Sequence, residues 1–235
     1  VTRLGFPQHI LRVDQFDRRQ LDELFALARQ MRTLAERGGA PRLPRRILAT
    51  LFFEPSTRTR LSFESAMLRL GGNVISAESA GETSSAVKGE TIEDTVRIVE
   101  SYADAIVIRH PLAGTPEAAA AVSSVPIINA GDGAREHPTQ ALLDLFTIGE
   151  ELGRIDELTV TLAGDLRYGR APRSLAMLLA NTRGCRVIMS APAGIGMSND
   201  VLDHLRAGGV AVDEEPDLAR AAGQSDVVYV TRVQK

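Results

Sequence analysis

Along the chain, short apolar runs alternate with stretches whose apolar residues recur every three or four positions. The runs ILATLFF, AIVIR, PIIN, TVTLA, RVIMSA, VAV and DVVYV are too short for helices and rich in β-branched residues. That combination predicts strands, and ILATLFF and AIVIR read as buried ones. Asp17-Arg18-Arg19-Gln20 predicts a capping box, in which the Asp17 and Gln20 side chains each satisfy the other's backbone amide. It opens a helix with Leu21, Leu24, Phe25, Ala28, Met31 and Leu34 on one face, which Gly38-Gly39 ends. Further helices are predicted over 57–70, from Thr91 to Tyr102, from Thr115-Pro116, over 138–152 with Pro138 first, over 173–182 and near 199–208. The segment ESAGETSSAVKG, residues 78–89, is polar, small and without period, and reads as a surface loop.

Strands alternating with helices predict an α/β fold with a parallel, helix-covered sheet in each half. The expected division is a first domain over 1–136, an interdomain helix over 137–152 and a second domain over 153–235.

Composition narrows the class. The chain has 235 residues and a net charge of −3, which gives no global attraction to nucleic acid or to an anionic membrane surface. No apolar run reaches membrane-spanning length. The lone cysteine, Cys185, allows no intrachain disulfide and suggests a reducing, cytoplasmic setting. Among 27 basic residues only Lys88 and Lys235 are lysine, so Lys88 is an isolated flexible point charge among planar guanidinium groups.

In open α/β sheets, ligands collect beyond the carboxyl ends of the strands. The polar residues that fall there are Ser56-Thr57-Arg58-Thr59-Arg60, Arg109-His110, Asn129 with the loop to His137, Asp165–Arg170 and Thr231-Arg232-Val233-Gln234. An arginine or histidine leaves nearly every strand, which suits a polyanion. In FEPSTRTR the first turn of a helix offers unpartnered amides and a partial positive charge. The hydroxyls of Ser56, Thr57 and Thr59 add donors, and Arg58 adds a fork matched to phosphate oxygens. Arg60, two residues on, is expected in a structural ion pair. No GxxxxGK[ST] or GxGxxG pattern occurs, so an ordinary nucleotide cradle is disfavoured. His9, His110 and His204 read as structural, Asp165 as a loop-holding carboxylate and Cys185 as inert.

The segments FFEPSTRTRLSFE, SSAVKGET, DAIVIRHP, NAGDGAREHPTQALLDLFTI, GDLRYGR and TRVQK resemble the carbamoyltransferase family, and within it the aspartate-specific branch. The ornithine-specific branch would carry His-Cys-Leu-Pro in place of Thr231-Arg232-Val233-Gln234. The resemblance implies two Rossmann-like domains. It also implies transfer of a carbamoyl group from carbamoyl phosphate to the amino group of L-aspartate, an early step of pyrimidine biosynthesis, with no cofactor and no metal. Ser56, Thr57, Arg58 and Thr59 would hold the phosphate. Thr59, Arg109 and His137 would polarise the carbonyl oxygen, and Gln140 would orient the carbamoyl nitrogen. Arg170 would take one carboxylate of aspartate, and Arg232 with Gln234 the other. Ser84 and Lys88 would enter from the neighbouring subunit of a homotrimer, Lys88 reaching aspartate as well. A regulatory chain or dihydroorotase is a possible partner. Family members continue past the position of Lys235, so the second domain is expected to lack its C-terminal part. Three alternatives stay open: a carbamoyltransferase with an ornithine-type acceptor, an inactive homologue that serves as an assembly scaffold, and a phosphate-binding module without chemistry, in which His137 and Gln140 would be idle.

Overall fold

The computed structural model describes residues 5–78 and 89–232. The chain divides into two compact units, Val1–Gly133 and Ala134–Lys235. Each is built on a four-stranded, wholly parallel sheet.

The first unit contains α1 (Arg18–Glu36), β1 (Ile47–Phe52), α2 (Thr57–Arg69), β2 (Asn73–Glu78), α3 (Ile92–Val99), β3 (Ala105–His110), α4 (Thr115–Val122) and β4 (Ile127–Asp132). Its strand order is β2-β1-β3-β4. The two faces of the sheet use alternate residues, as the two-residue strand period requires. Ala49, Leu51, Ile106 and Ile108 pack with Val96, Ala103 and Ala119 on one face. Leu48, Phe52 and Val107 pack with Met67 and Ala130 on the other. The predicted capping box closes α1: Gln20 N–H donates to Asp17 at 2.7 Å, and Asp17 N–H donates to Gln20 Oε1 at 2.9 Å. Upstream of α1, Ile10 bridges in parallel to Ile128 and extends the sheet beyond β4.

The second unit contains α5 (Pro138–Leu152), β5 (Thr159–Ala163), α6 (Arg170–Leu179), β6 (Arg186–Ser190), α7 (Asn199–Ala207), β7 (Ala211–Glu214), α8 (Leu218–Ala222) and β8 (Val227–Val230). Its strand order is β7-β6-β5-β8. Central β5 and β6 are buried almost throughout, whereas the outer strand β8 alternates half-buried with exposed positions. α5 belongs to this unit and packs on α6.

Three elements differ from the sequence reading. α6 begins at Arg170 rather than Arg173, because Pro172 lies in the first turn, where no amide needs an intrahelical partner. α3 ends at Val99 rather than Tyr102, where Ser101 turns its hydroxyl back onto the Ile98 carbonyl at 2.7 Å. α8 has five residues, too few for a periodic signal. Asp217 fixes it by accepting from the Ala219 and Arg220 amides at 2.9 and 3.3 Å.

Candidate ligand-binding sites at two switch points

In a parallel sheet, a crevice opens where successive connections leave in opposite directions, and ligands settle there. In the first sheet that point lies between β1 and β3. In the second it lies between β5 and β8.

At the first, Phe52 of β1 pairs with Arg109 of β3, so the loop leaving β1 and the end of β3 emerge side by side. Ser56 takes the N-cap position of α2 but makes no side-chain cap bond. Its hydroxyl instead donates to Thr59 Oγ1 at 3.0 Å. The first-turn amides of α2 thus have no side-chain cap, which suits them to an external anion. Thr57 and Arg58 are exposed. Among the described residues, Arg58 has no ion-pair partner.

Arg109 is only 8% exposed. Its Nη2 donates to Glu54 Oε1 at 2.7 Å and its Nη1 to the Ala130 carbonyl at 3.2 Å. The guanidinium is therefore oriented from two sides. Arg60 points away from this cluster, pairing with Glu78 at 2.9 Å and reaching the Ser76 hydroxyl at 3.4 Å. Ser76 joins Thr50 and Glu64 in a small network that ties β1 and β2 to α2. Arg60 is the structural ion pair expected from its position.

His110 is also structural. Its Nδ1 accepts from the Leu112 amide at 3.0 Å, with Thr115 Oγ1 also 3.0 Å away. Burial pushes its pKa down, which keeps that nitrogen an acceptor. Asn129 is fully buried and fastens the N-terminal segment, donating to the Leu11 carbonyl at 2.9 Å.

At the second switch point, Ala163 of β5 pairs with Val230 of β8, and the Thr231 amide continues the ladder onto the Ala163 carbonyl at 2.8 Å. Gly164 permits this closeness: an added Cβ would lie 2.2 Å from the Thr231 carbonyl oxygen, and its φ is +109°. Asp165, 1% exposed, holds the next turn by accepting from the Arg167 and Tyr168 amides at 3.2 and 2.9 Å. That loop delivers Arg170, half-buried, to the first position of α6. Arg232, exposed, leaves the end of β8.

The same unit carries His137 and Gln140 at the start of α5. His137 is 7% exposed, and its backbone amide donates to the buried Ser174 hydroxyl at 2.9 Å. Gln140 Nε2 donates to Asp144 Oδ1 at 2.8 Å, and the Tyr229 hydroxyl donates to Asp144 Oδ2 at 3.0 Å.

The structure thus brings Ser56, Thr57, Arg58, Thr59 and Arg109 to the first switch point and Arg170 and Arg232 to the second. Ser84, Lys88 and Gln234 lie outside the described residues. Sequence reading did not find Glu54, Asp144, Ser174 and Tyr229. Gln140 and Asp144 were detectable as an i,i+4 pair on a predicted helix. Ser174 and Tyr229 carry no local signal, because their partners are 37 and 85 residues away. Among the described residues there is no His/Cys/Asp/Glu group able to hold a metal ion, and no helix long and apolar enough to cross a membrane.

Residues 8–150 match the family described as aspartate/ornithine carbamoyltransferase, carbamoyl-P binding domain. The chain is 50% identical over 222 residues to the chloroplastic aspartate carbamoyltransferase of Arabidopsis thaliana, covering 94% of this chain and 57% of that protein. It is also 50% identical over 226 residues to the aspartate carbamoyltransferase catalytic subunit of Methanopyrus kandleri, covering 96% and 72%. A solved structure of Trypanosoma cruzi aspartate transcarbamoylase in complex with carbamoyl phosphate and aspartate superposes with a TM-score of 0.90 at 42% identity, covering 97% of this chain and 72% of that one. The chain spans less than two thirds of the length of the plant relatives it matches.

Proposed function

The chain belongs to the aspartate/ornithine carbamoyltransferase family, and from that premise we propose that it transfers the carbamoyl group of carbamoyl phosphate to L-aspartate. The observation that carries this reading is the first switch point. There the uncapped start of α2, three hydroxyl side chains and Arg58 adjoin the end of the strand bearing Arg109.

The α-amino nitrogen attacks the carbonyl carbon, the C=O electrons move onto oxygen, and the amine loses its proton. Collapse of the intermediate then breaks the bond to the phosphate oxygen, and inorganic phosphate leaves. The acyl phosphate is already activated, so the protein's work is orientation and stabilisation of growing negative charge. Ser56, Thr57, Thr59, Arg58 and the α2 amides bind the phosphoryl oxygens. Thr59, Arg109 and His137 donate to the carbonyl oxygen as it becomes an oxyanion, and Gln140 meets the carbamoyl nitrogen. Arg170 and Arg232, with Gln234, bind the two carboxylates of aspartate. An ornithine-type acceptor, whose side chain is cationic, is disfavoured by the same two arginines.

The reading extends to a cytoplasmic homotrimer in which Ser84 and Lys88 serve the site of the adjacent copy. Dihydroorotase or a regulatory chain stands as a further partner. Two of the relatives are named as multifunctional proteins, which supports joint assembly. Assay of the full-length protein with carbamoyl phosphate should yield N-carbamoyl-L-aspartate and phosphate from L-aspartate, and little product from L-ornithine. Comparable turnover of both acceptors, or none with aspartate, would overturn the assignment. For the shared site, mixed Lys88→Ala and His137→Ala subunits should regain a fraction of activity that neither homotrimer has. Failure to recover after proven subunit exchange would return Lys88 to an ordinary loop position.

A further inference from the structure

We propose that Asp144, braced by Tyr229, is a positioning residue that turns the Gln140 amide so that its carbonyl oxygen faces the ligand, which makes the site select an N–H-bearing carbamoyl group over an acetyl group. This rests on the reading that Gln140 meets the carbamoyl nitrogen.

A glutamine amide is nearly symmetric in shape, so its orientation is set by its partners. Here the partner is a carboxylate, which when ionised can only accept. The edge of Gln140 facing Asp144 Oδ1, 2.8 Å away, is therefore the NH2. The Tyr229 hydroxyl occupies the other carboxylate oxygen at 3.0 Å. Both carboxylate oxygens thus accept from a donor, an arrangement that favours the charged form. Burial, the largest influence, leaves the Asp144 pKa raised above its ordinary value, and the Gln140 and Tyr229 hydrogen bonds offset part of that rise. Burial, and then the adjacent Asp144, drive the Tyr229 hydroxyl upward, so it stays protonated as the donor.

With its NH2 edge turned to Asp144 and one of the two N–H donors held there, Gln140 directs Oε1, an acceptor, away from that contact. A carbamoyl NH2 satisfies an acceptor; a methyl group of similar size leaves it unpaired, and a half-buried acceptor without a partner is costly. The i,i+4 spacing of Gln140 and Asp144 alone would be an ordinary helix pair. The Tyr229 contact from β8, 85 residues away, is what makes it a fixed bracket.

Binding of three probes to the full-length protein separates the possibilities: carbamoyl phosphate, acetyl phosphate and inorganic phosphate. Carbamoyl phosphate should bind more tightly than acetyl phosphate. Both Gln140→Ala and Asp144→Ala should shrink that preference by about 10-fold, and the double variant should lose no more than either single one. Tyr229→Phe should cause a smaller loss in the same direction. Inorganic phosphate, which has no carbamoyl group, should bind all variants alike. If Asp144→Ala does not fold, Asp144→Asn conserves volume and supplies a competing donor, and should also weaken the preference.

A changed preference in Gln140→Ala, with an unchanged one in Asp144→Ala, Asp144→Asn and Tyr229→Phe, would overturn the positioning role alone. An unchanged preference in Gln140→Ala would remove Gln140 from carbamoyl recognition and the bracket with it. Equal weakening of all three probes would show a purely structural Asp144 and likewise overturn the inference.

Discussion

At the end of β1 the hydroxyls of Ser56 and Thr59 pair with each other, Thr57 is exposed, and Arg58 stands in solvent. At the start of α5 and the end of β5, by contrast, the polar groups are backed by buried or half-buried partners. Ser174 holds the His137 amide, Asp144 holds Gln140, and Asp165 holds the turn that precedes Arg170. The difference follows from what each region offers. A helix start supplies several convergent amides, so a tetrahedral anion can be met by backbone and short hydroxyls with little further bracing. An amide or imidazole that must discriminate one face of a flat group needs its own orientation fixed first. The start of α2 is therefore suited to a general anion, whereas Arg109, held by Glu54 and the Ala130 carbonyl, is braced like the polar groups at the start of α5.

The sharpest way to break this contrast is Arg58→Ala. If Arg58 is the mobile charge that completes the cradle, turnover should fall by about 10²–10³, the loss expected from one preorganised donor. Folding should be unaffected because the side chain is exposed. Steady-state kinetics together with a thermal melt would check both halves, and near-normal turnover would leave the cradle to the amides and hydroxyls alone.

A smaller effect is expected from Arg232→Ala, which sharpens the contrast by touching the acceptor side only. Loss of one charge-assisted carboxylate contact should raise the aspartate requirement roughly 10- to 100-fold, while carbamoyl phosphate binding by calorimetry stays within a factor of about two. A parallel loss of both affinities would abolish the division of labour between the two switch points.

Ser174→Ala tests the bracing itself. It leaves the buried His137 amide without its acceptor at 2.9 Å, which should cost about 1–3 kcal/mol of stability. It should also lower kcat more than it raises the KM for either substrate. Denaturant unfolding and kinetics on the same preparation would measure the two. A stability loss with kcat intact would make Ser174 a packing residue only.

The difference between the regions also explains how far the sequence could be read. The central strands declared themselves because residues buried on both faces of a parallel sheet form unbroken apolar runs, as in TVTLA. α1 and α5 began where a capping box and a proline placed them. The first switch point was legible because its chemistry is contiguous: Ser56 to Thr59 sit in one turn. The bracing of the second was not, because Tyr229 reaches Asp144 only once β8 lies beside β5, and such long-range pairs leave no local pattern. The start of α6 was misplaced because Pro172 reads as a breaker until the first-turn position is known.

The smallest effect tests whether the second unit's wiring is partly ionic. Arg173, on α6, donates to Asp200 on α7 at 2.6 Å and to the Ser198 hydroxyl at 2.9 Å. Hydrogen bonds to Asp200, that of Arg173 first and then that of the Ser198 side chain, hold its carboxyl down from 3.8 to about 2. A carboxyl whose folded pKa is depressed contributes stability above its unfolded pKa and loses it as the pH falls through the folded one. The contribution should therefore be complete above 3.8 and decay toward about 2. Asp200 is largely exposed, with 62% of its side chain accessible, so solvent screening keeps the effect small. Asp200→Asn should lower stability slightly at neutral pH and flatten its decline across that acid window. Asp213→Asn, which removes the partner of Arg186 on the same sheet, serves as a surface ion-pair control. Chemical denaturation at a series of pH values would show the flattening. Parallel curves for the native protein and Asp200→Asn would mean that the α6–α7 link rests on Ser198 and packing, with no ionic share.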